Sequence, residues 1–229
     1  MTSLLSRYRA NKTANFQNSQ TKLFLSLLDK RYRKVLEVNC GQGYFTYVGT
    51  RNGKFADCYG ADVFPDFQKE EIKKYAESVT YEDIEENVVP FENDSFDLVF
   101  SMDVLEHVKD AAKFIKENLR VCKNGGEIII GTLNLLRIGN LILWMTGKLK
   151  FPRKIGSETY GDAIHFKEYR ADDLIKEIVR SSENEICSEN IAVYRCWLGI
   201  LPLNLGAERF PKLLDIFCQF LFVKFKKPL

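Results

Sequence analysis

The chain has 229 residues, a net charge of +2 and 28% charged residues. This length suits one α/β domain with an elaboration and a full core, and the near balance of charge excludes a surface built as a whole to bind nucleic acid. The six cysteines form no C-x-x-C pair and no metal-like cluster with the two histidines, so they read as reduced thiols of a cytoplasmic protein with no metal centre.

Residues 1–30 are predicted to form an N-terminal cap. Met1 to Asn15 is polar and basic without the apolar core of a secretory signal. Tyr8, Arg9 and Phe16 lie where a segment either folds over a site or frays. From Ser19 to Leu28, the residues Leu23, Phe24, Leu27 and Leu28 recur at helical spacing. No apolar run reaches the length that spans a bilayer.

Strand one is predicted over Lys34–Asn39, followed by a glycine turn and a helix, and strand two over Ala56–Asp62. Pro65-Asp66 breaks the chain before a charged helix, Gln68–Ala76. A short third strand ends at Thr80, and Tyr81 to Glu86 reads as an acidic loop. Phe96–Ser101 is a continuous apolar run, as expected of a strand buried on both faces. Helix Ala111–Val121, a Gly125-Gly126 turn and strand Glu127–Thr132 follow. Alternating strand and helix signals imply a parallel, doubly wound sheet.

Residues 133–170 read as a lid insertion. From Ile128 to Ser157 there are five basic residues and no acidic one. Residues 135–154 therefore fit either an amphipathic lid touching a membrane surface or a lid helix with a buried face and a solvated basic end; the second reading is preferred. Beyond it come a helix over Asp172–Ser181, a sixth strand over Ile186–Trp197, a helix or turn at Phe210–Phe217 and a last strand, Phe220–Phe225. The basic tail Lys224 to Pro228 reads as a soluble strand end.

The chemistry is concentrated at Val35 to Thr46, a strand, a turn and a helix start. Gly41 and Gly43 fit the first two places of the dinucleotide fingerprint, but Thr46 occupies the third. Glu37 puts a carboxylate just before the turn, where a pyrophosphate would be repelled. A ligand with ribose, positive charge and no phosphate fits better, and S-adenosylmethionine (SAM) has all three properties. An NAD-linked oxidoreductase is correspondingly disfavoured.

Four further stretches complete an ordered set: Tyr59-Gly60-Ala61-Asp62-Val63, Pro90 to Ser101, Val104-Leu105-Glu106-His107 and Leu119 to Glu127. With Leu36 to Gly43 they resemble the class I SAM-dependent methyltransferases, of the subgroup in which strand four runs into a Val-Leu-Glu-His segment that opens a helix. The resemblance implies a Rossmann-like, seven-stranded sheet, mostly parallel with an antiparallel last strand. It implies Glu37 on the methionine ammonium, Gly41 and Gly43 allowing close backbone approach, and Asp62, followed by Val63, on the ribose hydroxyls. Asp83 would meet the adenine amino group, Ile84 its ring, and Ser101 and Met102 the methionine portion. Asn39 stands where the family has a glycine; Asn tolerates left-handed backbone angles, yet its side chain borders the cofactor. A non-catalytic SAM-binding or scaffold protein is the alternative that Asn39 motivates.

The acceptor is expected to be a small molecule or a glycan- or lipid-linked precursor, methylated at oxygen. His165 is the candidate base, with Tyr160 and Tyr169 shaping the pocket or packing in the core; His107 is the second candidate, against a helix-surface or hinge role. Nucleic acid is not expected, because Ser101-Met102-Asp103-Val104 stands where many amino-methylating enzymes carry Asn-Pro-Pro-aromatic.

Overall fold

A computed structural model describes residues 19–41, 43–62, 79–83, 88–157, 161–196 and 216–229. A helix over residues 19–27 (α1) leads into β1 (Tyr32–Val38), α2 (Tyr44–Arg51), β2 (Phe55–Asp62), β3 (Val79–Asp83) and β4 (Phe96–Met102). A 3-10 turn (Leu105–His107), α3 (Ala111–Val121), β5 (Cys122–Leu133) and α4 (Ile138–Met145) follow. The remaining elements are β6 (Arg153–Ser157), β7 (Gly161–His165), α5 (Ala171–Ser181), a second 3-10 turn (Ser188–Asn190), β8 (Ala192–Cys196) and β9 (Phe220–Lys226).

Seven strands form one sheet in the order β3-β2-β1-β4-β5-β9-β8. Strands β1 to β5 pair in parallel, and β9 runs antiparallel to both β5 and β8. The order reverses between β1 and β4, so a crevice opens at the carboxyl ends of these strands, where α/β folds bind ligands. This is the doubly wound sheet that the alternating pattern predicts, with the antiparallel last strand that the resemblance implies. β6 and β7 make a separate antiparallel ribbon inside the 133–170 insertion.

The apolar runs explain why helices cover both faces. Alternate side chains of a strand point to opposite faces. Leu36, Val38, Val99, Ile128 and Ile130 pack with Phe114, Ile115, Leu174 and Ile178 of α3 and α5. Val35, Leu98, Phe100 and Ile129 pack on the other side with Phe24 and Leu27 of α1 and with Phe55. Asp110 caps α3 by accepting from the Lys113 N–H at 2.9 Å, which is why this helix begins where the sequence places it. Gly49 is where α2 meets the sheet: a Cβ there would lie 2.0 Å from the Phe55 ring. Gly49→Ala should therefore lower stability by about 1–3 kcal/mol through overpacking, measurable by urea unfolding.

Several boundaries differ from expectation. β3 extends through Tyr81–Asp83, which pair with Gly60–Asp62, so Asp83 ends a strand rather than sitting in a loop. Val104–His107 does not open a long helix: Asp103 takes a left-handed φ of 58° and only a 3-10 turn follows before α3. β5 begins at Cys122, which pairs with Phe96 before a bulge at Lys123–Gly126. The sixth strand is confined to Ala192–Cys196 among the described residues, because Ser188–Asn190 coils into a 3-10 turn. The expected cap at residues 1–18, the helix at Gln68–Ala76, and Val63, Ile84 and Tyr160 lie outside the described residues.

Candidate active site

Three left-handed residues shape the turn after β1: Asn39 (φ 54°), Gly41 (φ 51°) and Gly43 (φ 68°). Asn39 thus adopts the conformation for which a glycine is the usual choice. A Cβ on Gly41 would meet nothing within 4 Å among the described residues, so they leave that face of the loop open. The turn is held from below. The Gly41 N–H donates to Asp62 Oδ2 at 2.6 Å, the Cys40 N–H to the Ala61 carbonyl at 3.1 Å, and the Gly43 N–H to the Cys40 carbonyl at 2.7 Å.

Glu37 lies beneath this turn and is buried. Its Oε2 accepts from the Thr46 N–H at 3.0 Å and also from the Thr46 hydroxyl. One carboxylate oxygen therefore caps the first turn of α2. This arrangement decides against a pyrophosphate. The helix N-terminus that would receive it already holds a carboxylate, and Thr46, not glycine, closes the contact.

Acidic groups gather along the carboxyl edge of the sheet. Asp62 is fully buried at the end of β2, and Asp83 pairs with it at the end of β3. Past β4, Asp103 accepts from Gln20 Nε2 at 3.2 and 3.3 Å. Glu106 is buried and its Oε2 accepts from the Thr132 hydroxyl at 2.7 Å. Burial, with the nearby Asp62 charge, pushes the Glu37 carboxyl up to about 8. Burial and the Glu106 charge raise Asp103, and burial with the Glu168 charge raises Glu106. Ser101 is fully buried near the end of β4, and its hydroxyl has no hydrogen-bond partner among the described residues. Met102 lies beside it, its sulfur 2.6 Å from where a Cβ on Gly131 would stand. An edge with buried carboxylates, an orphan hydroxyl and an open glycine face fits a cationic nucleoside.

Raised carboxyls carry a sign for stability. A group whose folded pKa lies above its unfolded value stabilises fully below the unfolded value and loses that contribution as pH rises through the folded one. For Glu37 the window runs from 4.5 to about 8. Ligand-free protein should therefore lose thermal stability between pH 5 and 8, and Glu37→Gln should flatten that decline; melting curves across this range check it, and parallel declines in the two proteins would refute it.

A second cluster adjoins this edge and carries both histidines. The 3-10 turn is tied to the end of β7: the Phe166 N–H donates to the Glu106 carbonyl at 2.8 Å, and His107 Nδ1 lies 2.9 Å from the Ile164 carbonyl. The two imidazoles meet edge-to-face with centroids 4.6 Å apart. Burial lowers the His107 pKa, against that hydrogen bond and the Glu168 charge. His165 is buried and its Nδ1 lies 2.8 Å from Glu168 Oε1. Glu168 also receives both terminal nitrogens of Arg137, Asn140 Nδ2 at 2.6 Å and Arg153 at 2.9 Å. Burial alone would raise Glu168; the hydrogen bonds from His165 and Arg137 outweigh it and hold the carboxyl at about 2. A carboxylate on Nδ1–H fixes the tautomer and leaves Nε2 as the basic nitrogen.

The sequence offered no metal set, yet the structure joins one. Glu106, His107 and His165 each place a ligand atom within 4.8 Å of the others. The histidines stand 58 positions apart in sequence, which hid the juxtaposition. Tyr169, by contrast, is a core residue, 1% exposed, whose backbone bridges to Asn134. Glu168, Asp103, Arg137 and Asn140 were missed. For Glu168, its place three residues after His165 was the available signal.

Residues 36–130 match the family model described as a methyltransferase domain. The matched segment runs from β1 into β5, the strands that carry the acidic edge. Beyond it, the match extends more weakly. The chain is 36% identical over 110 residues (45% of this chain, 31% of the relative) to the chloroplastic tocopherol O-methyltransferase of Arabidopsis thaliana. It is 26% identical over 185 residues (79% and 74%) to a ubiquinone biosynthesis O-methyltransferase of Xanthomonas oryzae pv. oryzae. A norajmaline N-methyltransferase and an ajmaline N-methyltransferase of Rauvolfia serpentina occur among the relatives too. The aligned stretch spans 31–44% of the length of the first of these relatives. A SAM-dependent methyltransferase of Thermotoga maritima shares the methyltransferase fold with a TM-score of 0.64 at 14% identity, over 98% of this chain and 96% of that one. Among the described residues no helix is long and apolar enough to cross a membrane.

Proposed function

We propose that this protein transfers a methyl group from SAM to a hydroxyl oxygen of a small-molecule or lipid- or glycan-linked acceptor. The observation that carries the acceptor half is the Glu168-held His165 beside the acidic cofactor edge. When bound, SAM supplies a methyl group on a sulfonium whose leaving group is neutral. Asp62 is suited to the ribose hydroxyls, and Glu37, Asp62 and Asp103 make the edge attractive to a cation. The open face above Gly41 lets backbone approach the ligand. Asp83 and Ser101 stand at the strand ends expected to meet adenine and methionine. A hydroxyl acceptor must lose its proton during attack, and His165 Nε2, left as the accepting nitrogen by Glu168 on Nδ1, would take it. The left-handed Asn39 completes the same turn as glycine does, which favours a working site over a scaffold that kept the fold.

His165→Ala should leave SAM affinity unchanged and lower kcat for hydroxyl acceptors by about 10²–10⁴-fold. Amine acceptors, neutral above their own pKa, should be spared at high pH. Transfer of tritiated methyl from SAM to a panel of phenols and amines measures this; an equal loss for both classes would contradict the base role. A second reading follows from the joined Glu106, His107 and His165. A divalent ion on these three would activate the acceptor as a Lewis acid instead, with Glu168 and the Ile164 carbonyl orienting the rings. Activity that EDTA abolishes and a divalent ion restores would favour it.

A further inference from the structure

The insertion after β5 does not bury the face expected of a lid helix. Helix α4, Ile-Gly-Asn-Leu-Ile-Leu-Trp-Met, has a single buried residue, the polar Asn140. Ile142 is 53% exposed, and Trp144 and Met145 are each 70% exposed. Among the described residues six large apolar side chains are exposed, and three of them are these; Val88, Ile216 and Leu229 lie elsewhere in the sequence. Half-buried Leu141, Leu143 and Leu149 extend the patch, and Lys148 and Lys150 are exposed at its end. A cluster of this kind marks an interaction site, whereas isolated exposed apolar residues do not.

Charge identifies the occupant. Residues 128–157 carry five basic residues and no acidic one; Arg137 and Arg153 are engaged by Glu168, which leaves Lys148 and Lys150 exposed at the patch. Apolar side chains with an indole, bordered by lysines, match an anionic bilayer surface: the rings and aliphatic chains enter the headgroup boundary and the ammonium groups stay with the phosphates. A protein partner would have to be both apolar and acidic at one spot.

We propose that α4 and the Gly147–Lys150 loop seat the protein on an anionic membrane surface, beside the acceptor-activating histidine. The coupling is direct. Asn140 of α4 donates to Glu168, and so do Arg137 at the start of α4 and Arg153 beyond it. Glu168 in turn holds His165. The helix that touches the surface is thus locked to the imidazole, and an acceptor carried in the bilayer would be delivered at that end of the crevice. The delivery rests on the methyltransferase reading; the docking does not.

Sedimentation with phosphatidylcholine vesicles, with and without phosphatidylglycerol, tests it. Full-length protein should bind the mixed vesicles, bind the neutral ones weakly, and be released by high salt. Lys148→Gln with Lys150→Gln should weaken binding by about thirtyfold, and Trp144→Ser with Met145→Ser should abolish it. These side chains are exposed, so the variants should melt like the parent and keep their affinity for SAM, titrated on the same samples. That titration separates failure of docking from failure of the methyltransferase reading. No binding to mixed vesicles would overturn the proposal. So would a concentration-dependent dimer that Trp144→Ser dissolves without vesicle binding, since the patch would then cover a second copy.

Discussion

Glu168→Gln should destabilise the protein by about 3–5 kcal/mol and lower methyl transfer to a hydroxyl acceptor by about 10²–10⁴-fold. Both effects follow from one side chain. The carboxylate is fully buried with two guanidinium groups on it, those of Arg137 and Arg153. Losing its charge leaves those cations without compensation, and an uncompensated buried ion is worse than a pair never formed. The amide also presents a donor toward His165 Nδ1, which permits the tautomer with the proton on Nε2 and removes the base. Glu168 acts through His165, so it is a positioning residue. Its signature is a changed pH profile of kcat with little change in SAM affinity, and partial rescue by Glu168→Asp. The acid limb has a sign too. Its depressed pKa gives stability present above 4.5 and lost as pH falls toward about 2, so Glu168→Gln should narrow its deficit below pH 4. Unfolding in urea at pH 7 and pH 3 reads the first effect; a kcat profile reads the second.

Asp62→Ala should weaken SAM binding by about 10- to 150-fold, the worth of a charge-assisted hydrogen bond of about 1.5–3 kcal/mol. Asp62 also accepts from the Gly41 N–H, so alanine loosens the turn as well as removing the charge. Asp62→Asn separates the two: its amide oxygen can still accept from Gly41, and its affinity should fall between parent and alanine. Calorimetric titration of the three proteins with SAM and S-adenosylhomocysteine gives the order. Equal affinities across them would place the ribose elsewhere.

The sheet was legible because its signals are local. A continuous apolar run such as Phe96–Ser101, a turn that needs Gly41 and Gly43, and an Asp110 cap each announce themselves within a few residues. β3 was cut short because Glu82 and Asp83 are poor strand formers, and pairing with β2 overrode that preference. The acidic edge was readable for the same reason as the sheet, since Glu37, Asp62 and Ser101 lie within a residue of the ends of β1, β2 and β4. The histidine cluster was only half readable. Its pieces come from the 3-10 turn, α4, β6, β7 and the segment before α5, and no spacing in sequence encodes Arg137, Asn140 and Arg153 meeting on Glu168. The exposure of Ile142, Trp144 and Met145 on α4 was not legible, because whether an apolar stretch is covered depends on neighbours that a sequence pattern does not show.

The most direct measurement of the central claim is isothermal titration of the unmodified protein with SAM and, separately, with NAD. The buried carboxylates of the cofactor edge and the Glu37-capped start of α2 predict binding of SAM, with proton release near neutral pH as the cation draws Glu37 to its charged form, and no heat from NAD. Binding of NAD without SAM would contradict the account.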